Sequence, residues 1–153
     1  AGKWLAESGK NPSKWWKLDT LQEEVLLQYA KPEEFYVMLV DGVPAAAIIL
    51  QSSQEAQDWK SIDGDNPKQA LYMHWGAVHR KFAGKGLMKT MVDHAEKVAR
   101  ENGIRWLRLD TDVERVKLRE LYERLGFTLV GIADEGYRKT AFYERKVEME
   151  KRL

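Results

Sequence analysis

The sequence predicts an α/β (α+β) fold, a mixed sheet with helices packed on both of its faces. Three observations carry this expectation. A hairpin signal, Asp41-Gly42, joins two apolar runs in the first half of the chain. Strand and helix patterns alternate in the second half, from Ala70 to Ile132. A doubly wound nucleotide-binding sheet would alternate from its first strand and carry an acidic residue after its second, and this chain does neither. The 153 residues are expected to form one domain, 1–153, long enough to bury about 70% of the unfolded surface.

In order, Ala1 to Ser8 reads as the last turns of a helix stopped near Gly9, and Asn11-Pro12-Ser13 is a turn before Trp15 and Trp16. Asp19 and Gln22 form a capping box for a helix reaching about Ala30, with Leu21, Val25, Leu26 and Tyr29 on one face. Phe35 to Val40 and Ala45 to Leu50 read as hairpin strands, with Pro44 tolerated at the second strand's start. Gln51 to Lys68 is polar and reads as a long loop, functional or mobile, tethered by Trp59.

Ala70 to Val78 is again a strand. The helix expected over Leu87 to Arg100 places Leu87, Met88, Met91, Val92, Ala95, Val98 and Ala99 on its buried stripe. Lys89, Asp93, Glu96, Lys97 and Arg100 fall on the opposite face. Asn102-Gly103 ends it. A strand over Arg105 to Leu109, a helix over Glu114 to Leu125 and a stop at Gly126 follow. Phe127 to Ile132 and Thr140 to Val147 then read as antiparallel strands around Asp134-Glu135-Gly136.

Composition narrows the function. The absence of cysteine excludes a disulfide scaffold, a thiolate metal site and a cysteine nucleophile. Three scattered histidines, His74, His79 and His94, suggest no metal centre. With 25 basic and 24 acidic residues, the chain lacks the broad basic face that nucleic acid requires. No apolar run approaches the roughly 20 residues of a membrane span, and the amino terminus has no signal-like pattern, so a cytoplasmic location is expected.

The stretch from Val78 to Leu87 holds the main chemical signal. It joins a strand to a helix through Arg80, Lys81, Gly84, Lys85 and Gly86, with Lys89 one turn into the helix. A cationic glycine-rich turn at a helix amino end can direct backbone N–H groups at a phosphate. Taken alone, two glycines one residue apart also suit an ordinary solvated turn.

Two further motifs give the loop its context. Leu121-Tyr122-Glu123-Arg124-Leu125-Gly126-Phe127 places Tyr122 36 residues after Gly86, and Tyr143-Glu144-Arg145-Lys146 closes the last strand. With Lys81-Phe82-Ala83-Gly84-Lys85-Gly86, these resemble the acyl-CoA loop, the Leu-Tyr-x-x-x-Gly-Phe motif and the final strand of the GNAT-type N-acetyltransferases. The resemblance covers roughly Leu71 to Val147. It implies a mostly antiparallel, GNAT-like central sheet, here lacking the family's first strand.

It also implies acetyl-CoA as cofactor, held by Lys81, Phe82, Ala83, Gly84, Lys85, Gly86 and Leu87. Ala77 and Val78 would meet the pantetheine arm and thioester carbonyl, and Tyr122 would be the general acid toward sulfur. The structural alternative for Tyr122 is a core aromatic on its helix's buried stripe. Two positions depart from the family pattern. Lys81 replaces Gln or Arg, keeping charge without Arg's fork, and Arg115 stands where the family usually has an Asn that helps hold the pantetheine arm.

A lysine-like acceptor amine loses its proton at pH 7 at a cost of about 4.6 kcal/mol. His74, mid-strand and able to titrate near neutrality, is the first candidate for the base, ahead of Glu34 and Glu55; a satisfied sheet histidine is the alternative. Trp15, Trp16 and Trp59 are candidates for the acceptor pocket or for core plugs. The expected function is N-acetyl transfer from acetyl-CoA to a small-molecule or peptide amine, directly in a ternary complex, by a monomer or homodimer. The alternative is a non-catalytic acyl-CoA-binding or sensing module of the same fold.

Overall fold

The computed structural model describes residues 30–52 and 59–149. The expected helices before residue 30, Trp15, Trp16, Glu55 and the question of a first strand lie outside them. The chain forms two compact units, one containing residues 30–49 and 75–88, the other 50–74 and 89–149.

In the first unit, a 3-10 turn at Pro32–Glu34 leads into β1 (Phe35–Val40), and the Glu34 carboxylate accepts the Lys31 N–H at 2.7 Å. Asp41 and Gly42 both take positive φ (50° and 77°), which a tight two-residue hairpin turn requires. That geometry pairs Val40 with Val43, so β2 spans Val43–Gln51 and starts two residues before the expected Ala45. Pro44 sits beside an irregularity, since Met38 pairs with Ala46 and Leu39 with Pro44, and such sites spare the ladder an N–H. Ala45, Ala46, Ile48 and Ile49 are buried, so both faces of β2 are covered. β3 (Leu71–Val78) belongs to both units. Its final residues lie beside β2 here, and His79 N–H donates to the Ala45 carbonyl at 2.7 Å.

In the second unit the strand order is β3, β4 (Trp106–Asp112), β6 (Lys139–Lys146), β5 (Thr128–Asp134). β3 and β4 run parallel, with Leu71 opposite Leu107 and Tyr72 opposite Arg108; the other pairs are antiparallel. The sheet is therefore mixed and mostly antiparallel. β4 runs three residues beyond the expected Leu109, because β6 pairs with the polar stretch as far as Asp112 opposite Thr140.

Helices cover both faces of this unit's sheet. On one, a short α1 (Lys60–Asp63) lies within the expected loop, with Ile62 over Gly131, where an added Cβ would come 2.5 Å from Ile62 Cδ1. On the other face, α2 (Leu87–Glu101) and α3 (Val116–Arg124) are joined to β6 by the Glu96–Arg145 ion pair and the Tyr122–Tyr143 ring contact. Met91, Val92, Ala95 and Ala99 of α2 are buried as the periodicity predicts. Glu96 corrects it. Expected on the outer face, it is buried and bridges Arg100 (2.8 Å) and Arg145 (2.7 Å).

Candidate active site

The glycine-rich loop lies within the first unit. His79 caps a 3-10 turn (Arg80–Phe82), its Nδ1 accepting the Lys81 N–H at 3.2 Å. Phe82 N–H donates to the His79 carbonyl at 2.8 Å, and Ala83 N–H to the Arg80 carbonyl at 3.1 Å. These three N–H groups therefore hold the turn instead of facing a ligand, which corrects the expectation for Phe82 and Ala83. The bend then continues through Gly84 and Gly86 into the amino end of α2 at Leu87. Gly84 and Gly86 take φ of 78° and 72°, and no atom lies within 4 Å of a Cβ added at either. Their bare backbone leaves room for an anion at a helix amino end.

Phe82 is the loop's anchor. Its ring is buried, with the ammonium groups of Lys81 and Lys85 at 6.0 and 5.7 Å from its centroid. The two exposed lysines thus add positive charge around the bend. Ala77 and Val78, half-buried at the end of β3, lead into it.

Tyr122 belongs to the second unit. Its ring packs against Phe127 (6.1 Å between centroids) and Tyr143 (6.0 Å). Tyr143 is itself held by Arg119, whose Nε donates to its hydroxyl at 2.9 Å, while Arg119 Nη1 bonds the Val113 carbonyl at 3.1 Å. Burial pushes the Tyr122 phenol up to about 12; Arg115 opposes this and Asp110 adds to it. The hydroxyl therefore carries its proton throughout the neutral range. Arg115 precedes α3 and makes no side-chain capping bond.

One face of the same unit carries a polar cluster. Arg108 of β4 is 1% exposed and binds the Asp63 carboxylate through two bonds of 2.6 and 2.8 Å. Its Nε donates to Glu144 at 3.1 Å, its Nη1 to the Tyr72 hydroxyl at 3.4 Å, and its guanidinium stacks 4.4 Å from the Trp59 ring. Lys68 completes the charge balance, 3.1 Å from Glu144 and 4.0 Å over Trp106. Next to Tyr72 on β3, His74 stacks nearly parallel to its ring, at 8° and 6.3 Å.

Trp59 is 3% exposed and packs edge-on against Tyr72 and Phe142, which makes it a core plug that tethers its segment. His79 and His94 are exposed, as expected, and Glu34 is engaged at its own turn. Among the described residues no group of acidic residues and histidines could hold a metal ion. An open pocket of about 520 Å³, lined by Trp106, Thr128, Val130, Glu144 and Arg145 among others, contains none of the candidate residues.

Sequence reasoning missed the cluster of Arg108, Asp63 and Glu144, although Glu144 stands in the last-strand motif; Arg108 shows as a single charge within the apolar alternation Trp106-Leu107-Arg108-Leu109. Its partners come from segments 36 and 45 residues away.

Comparison with known proteins gives the family. The model of the acetyltransferase (GNAT) family matches residues 4–127, a span that includes the loop and Tyr122. An uncharacterized N-acetyltransferase, YesJ of Bacillus subtilis (strain 168), is 28% identical over 120 residues; these are 75% of this chain and 62% of that protein, so the match spans under two thirds of the relative. The crystal structure of a GNAT family acetyltransferase from Listeria monocytogenes 4b F2365 superposes with a TM-score of 0.71 at 27% identity, covering 94% of this chain and 81% of its own. An acetyltransferase from Bacillus anthracis str. Ames, solved in complex with acetyl coenzyme A, shares the fold at TM-score 0.64 and 18% identity, covering 84% of this chain and 72% of that one. With a family model matched over most of its length, the chain belongs to the GNAT family of acetyltransferases.

Proposed function

We propose that this chain is an N-acetyltransferase that moves the acetyl group of acetyl-CoA to a primary amine by direct transfer in a ternary complex. The observation that carries the reading is Tyr122, a half-buried phenol packed on Phe127 and Tyr143 and kept protonated up to about 12, in a chain that the acetyltransferase family model matches. Acetyl-CoA supplies the acyl group as a thioester. Gly84 to Leu87 and the start of α2 receive its phosphates, with Lys81 and Lys85 adding charge, while Ala77 and Val78 receive the pantetheine and carbonyl groups. Phe82 and Ala83 serve that loop as its anchor and bend.

Tyr122 delivers a proton to the departing sulfur. A phenol at about 12 is a weak acid toward a thiolate of reference pKa ~8.5. The burial that raises the phenol also raises a thiolate beside it, which brings the two closer. His74 takes the proton that an ammonium must lose before it attacks. Positioning of the reactants contributes roughly 7–11 kcal/mol in such transfers, and with no cysteine in the chain a cysteinyl intermediate has no place.

The acceptor is a small-molecule or peptide amine, for which Trp15 and Trp16 remain candidate contacts. The protein acts in the cytoplasm as a single domain, monomeric or homodimeric, without nucleic-acid or membrane partners; no helix among the described residues is long and apolar enough to cross a membrane. A screen of acetyl-CoA against primary amines, read by thiol release, tests the reading. Tyr122→Phe should lower turnover by about 10²–10⁴-fold, as for loss of a general acid, with CoA affinity kept. A wild-type chain that binds CoA and acetylates no amine would instead be a binding module.

A further inference from the structure

The helix that carries Tyr122 sits shallowly on its sheet. Of the nine residues of α3 none is fully buried, and Arg115 before it makes no side-chain capping bond. A helix of that length has little stability of its own, so its seat depends on what ties it to the strands below. β6 supplies one such tie. It is paired on both sides, with Tyr143 opposite Leu109 of β4 and Leu129 of β5, and Tyr143 is 0% exposed. The Tyr143 hydroxyl accepts the Arg119 Nε–H at 2.9 Å and donates to Glu123 Oε1 over a longer 3.3 Å. Arg119 and Glu123 are neighbours one turn apart on α3, and Tyr122 lies between them in sequence. Arg119 Nη1 also reaches the Val113 carbonyl at 3.1 Å, which anchors the approach to the helix. The Tyr143 ring meets the Tyr122 ring edge-on, at 6.0 Å and 62°. One phenol of a fixed strand therefore acts as donor and acceptor at once, and both bonds go to the helix of the other phenol.

We propose that Tyr143 is a positioning residue for the transfer: through Arg119 and Glu123 its hydroxyl fixes the rotation of α3 on β6, and so the direction in which Tyr122 presents its O–H. The role rests on the N-acetyltransferase reading, in which Tyr122 is the general acid toward sulfur. A general acid works only within hydrogen-bond reach of the atom it protonates, and a misplacement of about 1 Å can cost 10²-fold in rate. Ring contacts tolerate a range of angles, whereas hydrogen bonds weaken steeply as they bend. The Arg119 and Glu123 bonds therefore set a direction that ring packing alone leaves loose. Tyr143 touches no reacting atom in this role and acts only through Tyr122. In the closing Tyr143-Glu144-Arg145-Lys146 motif it then differs in duty from Glu144 and Arg145, whose side chains are held in ion pairs.

Steady-state kinetics test the role with acetyl-CoA and a panel of lysine, glycinamide, spermidine and phenylethylamine, using the amine that the wild type acetylates fastest. Tyr143→Phe removes the hydroxyl and keeps the ring. It should lower kcat by about 10-fold and leave the KM for acetyl-CoA within about twofold. Arg119→Met should reproduce the loss, and Arg119→Lys should recover part of it. A thermal shift on adding CoA equal to that of the wild type would show that each variant is folded. The double variant separates positioning from general support of the fold. If Tyr143 acts through Tyr122, adding Tyr143→Phe to Tyr122→Phe should lower turnover no further. Three results overturn the proposal: kcat within about threefold of wild type in Tyr143→Phe, no loss in Arg119→Met, or a further loss of about 10-fold on adding Tyr143→Phe to Tyr122→Phe. Wild-type turnover in Tyr122→Phe, or a wild type that acetylates no amine in the panel, removes the underlying reading instead, and the role of Tyr143 with it.

Discussion

Tyr122 keeps its proton because burial beside Phe127 and Tyr143 costs its phenolate more than the nearby charge of Arg115 returns. The same imbalance makes it a pH-dependent contributor to stability. A phenol raised from 10.0 to about 12 binds its proton more tightly in the folded chain. Its contribution is therefore complete below pH 10 and is lost as pH rises toward 12, by roughly 2–3 kcal/mol in total. Denaturant titrations from pH 9 to 12 should show a shallower alkaline loss for Tyr122→Phe than for the wild type; parallel curves would contradict this assignment. Tyr122 was legible in the sequence as a motif residue. Glu96 was not, because periodicity places a carboxylate outward and has no means of seeing Arg145, 49 residues away, arrive beside it.

At the scale of elements, the polar segment before β3 is tied to the sheet. Asp63 at the end of α1 meets Arg108 of β4, Trp59 lies under the guanidinium, and Lys68 reaches Glu144 of β6. Hydrogen bonding to Arg108 holds the Asp63 carboxyl below its usual value despite burial. Its contribution to stability is present above pH ~4 and is lost as pH falls through its lowered pKa. Arg108→Met leaves Asp63 without its cation and Glu144 with Lys68 alone. That should destabilise the protein by about 3–5 kcal/mol, the usual cost of removing one partner from a buried pair. A urea midpoint unchanged from wild type would refute this. Replacing Arg108 and Asp63 together by apolar residues should recover part of the loss. The α1 helix escaped the sequence because four residues show no periodicity; distant charges, rather than local propensity, hold it in place.

Taken over the whole chain, the residues proposed for the chemistry fall in two compact units, the glycine-rich bend in one and Tyr122 and His74 in the other. A ligand that binds only the folded chain stabilises it in proportion to its occupancy. CoA at 100 times its Kd should therefore add about 2.7 kcal/mol, read as a rise in Tm, and charge reversal at Lys81 and Lys85 should diminish the rise at a fixed CoA concentration. The order of the strands and of α2 and α3 among them, the hairpin at Asp41-Gly42, the bend at Gly84 and Gly86 and the position of Tyr122 were all determined by the sequence itself. Each rests on local rules: periodicity, turn residues, or spacing between short motifs. Tertiary structure alone decided which N–H groups of the bend are spent on its own turn, which carboxylates are buried, and that Arg108 meets Asp63 and Glu144. Those outcomes depend on strand register and on partners tens of residues apart, where the energy of a contact is set by what folding brings near it.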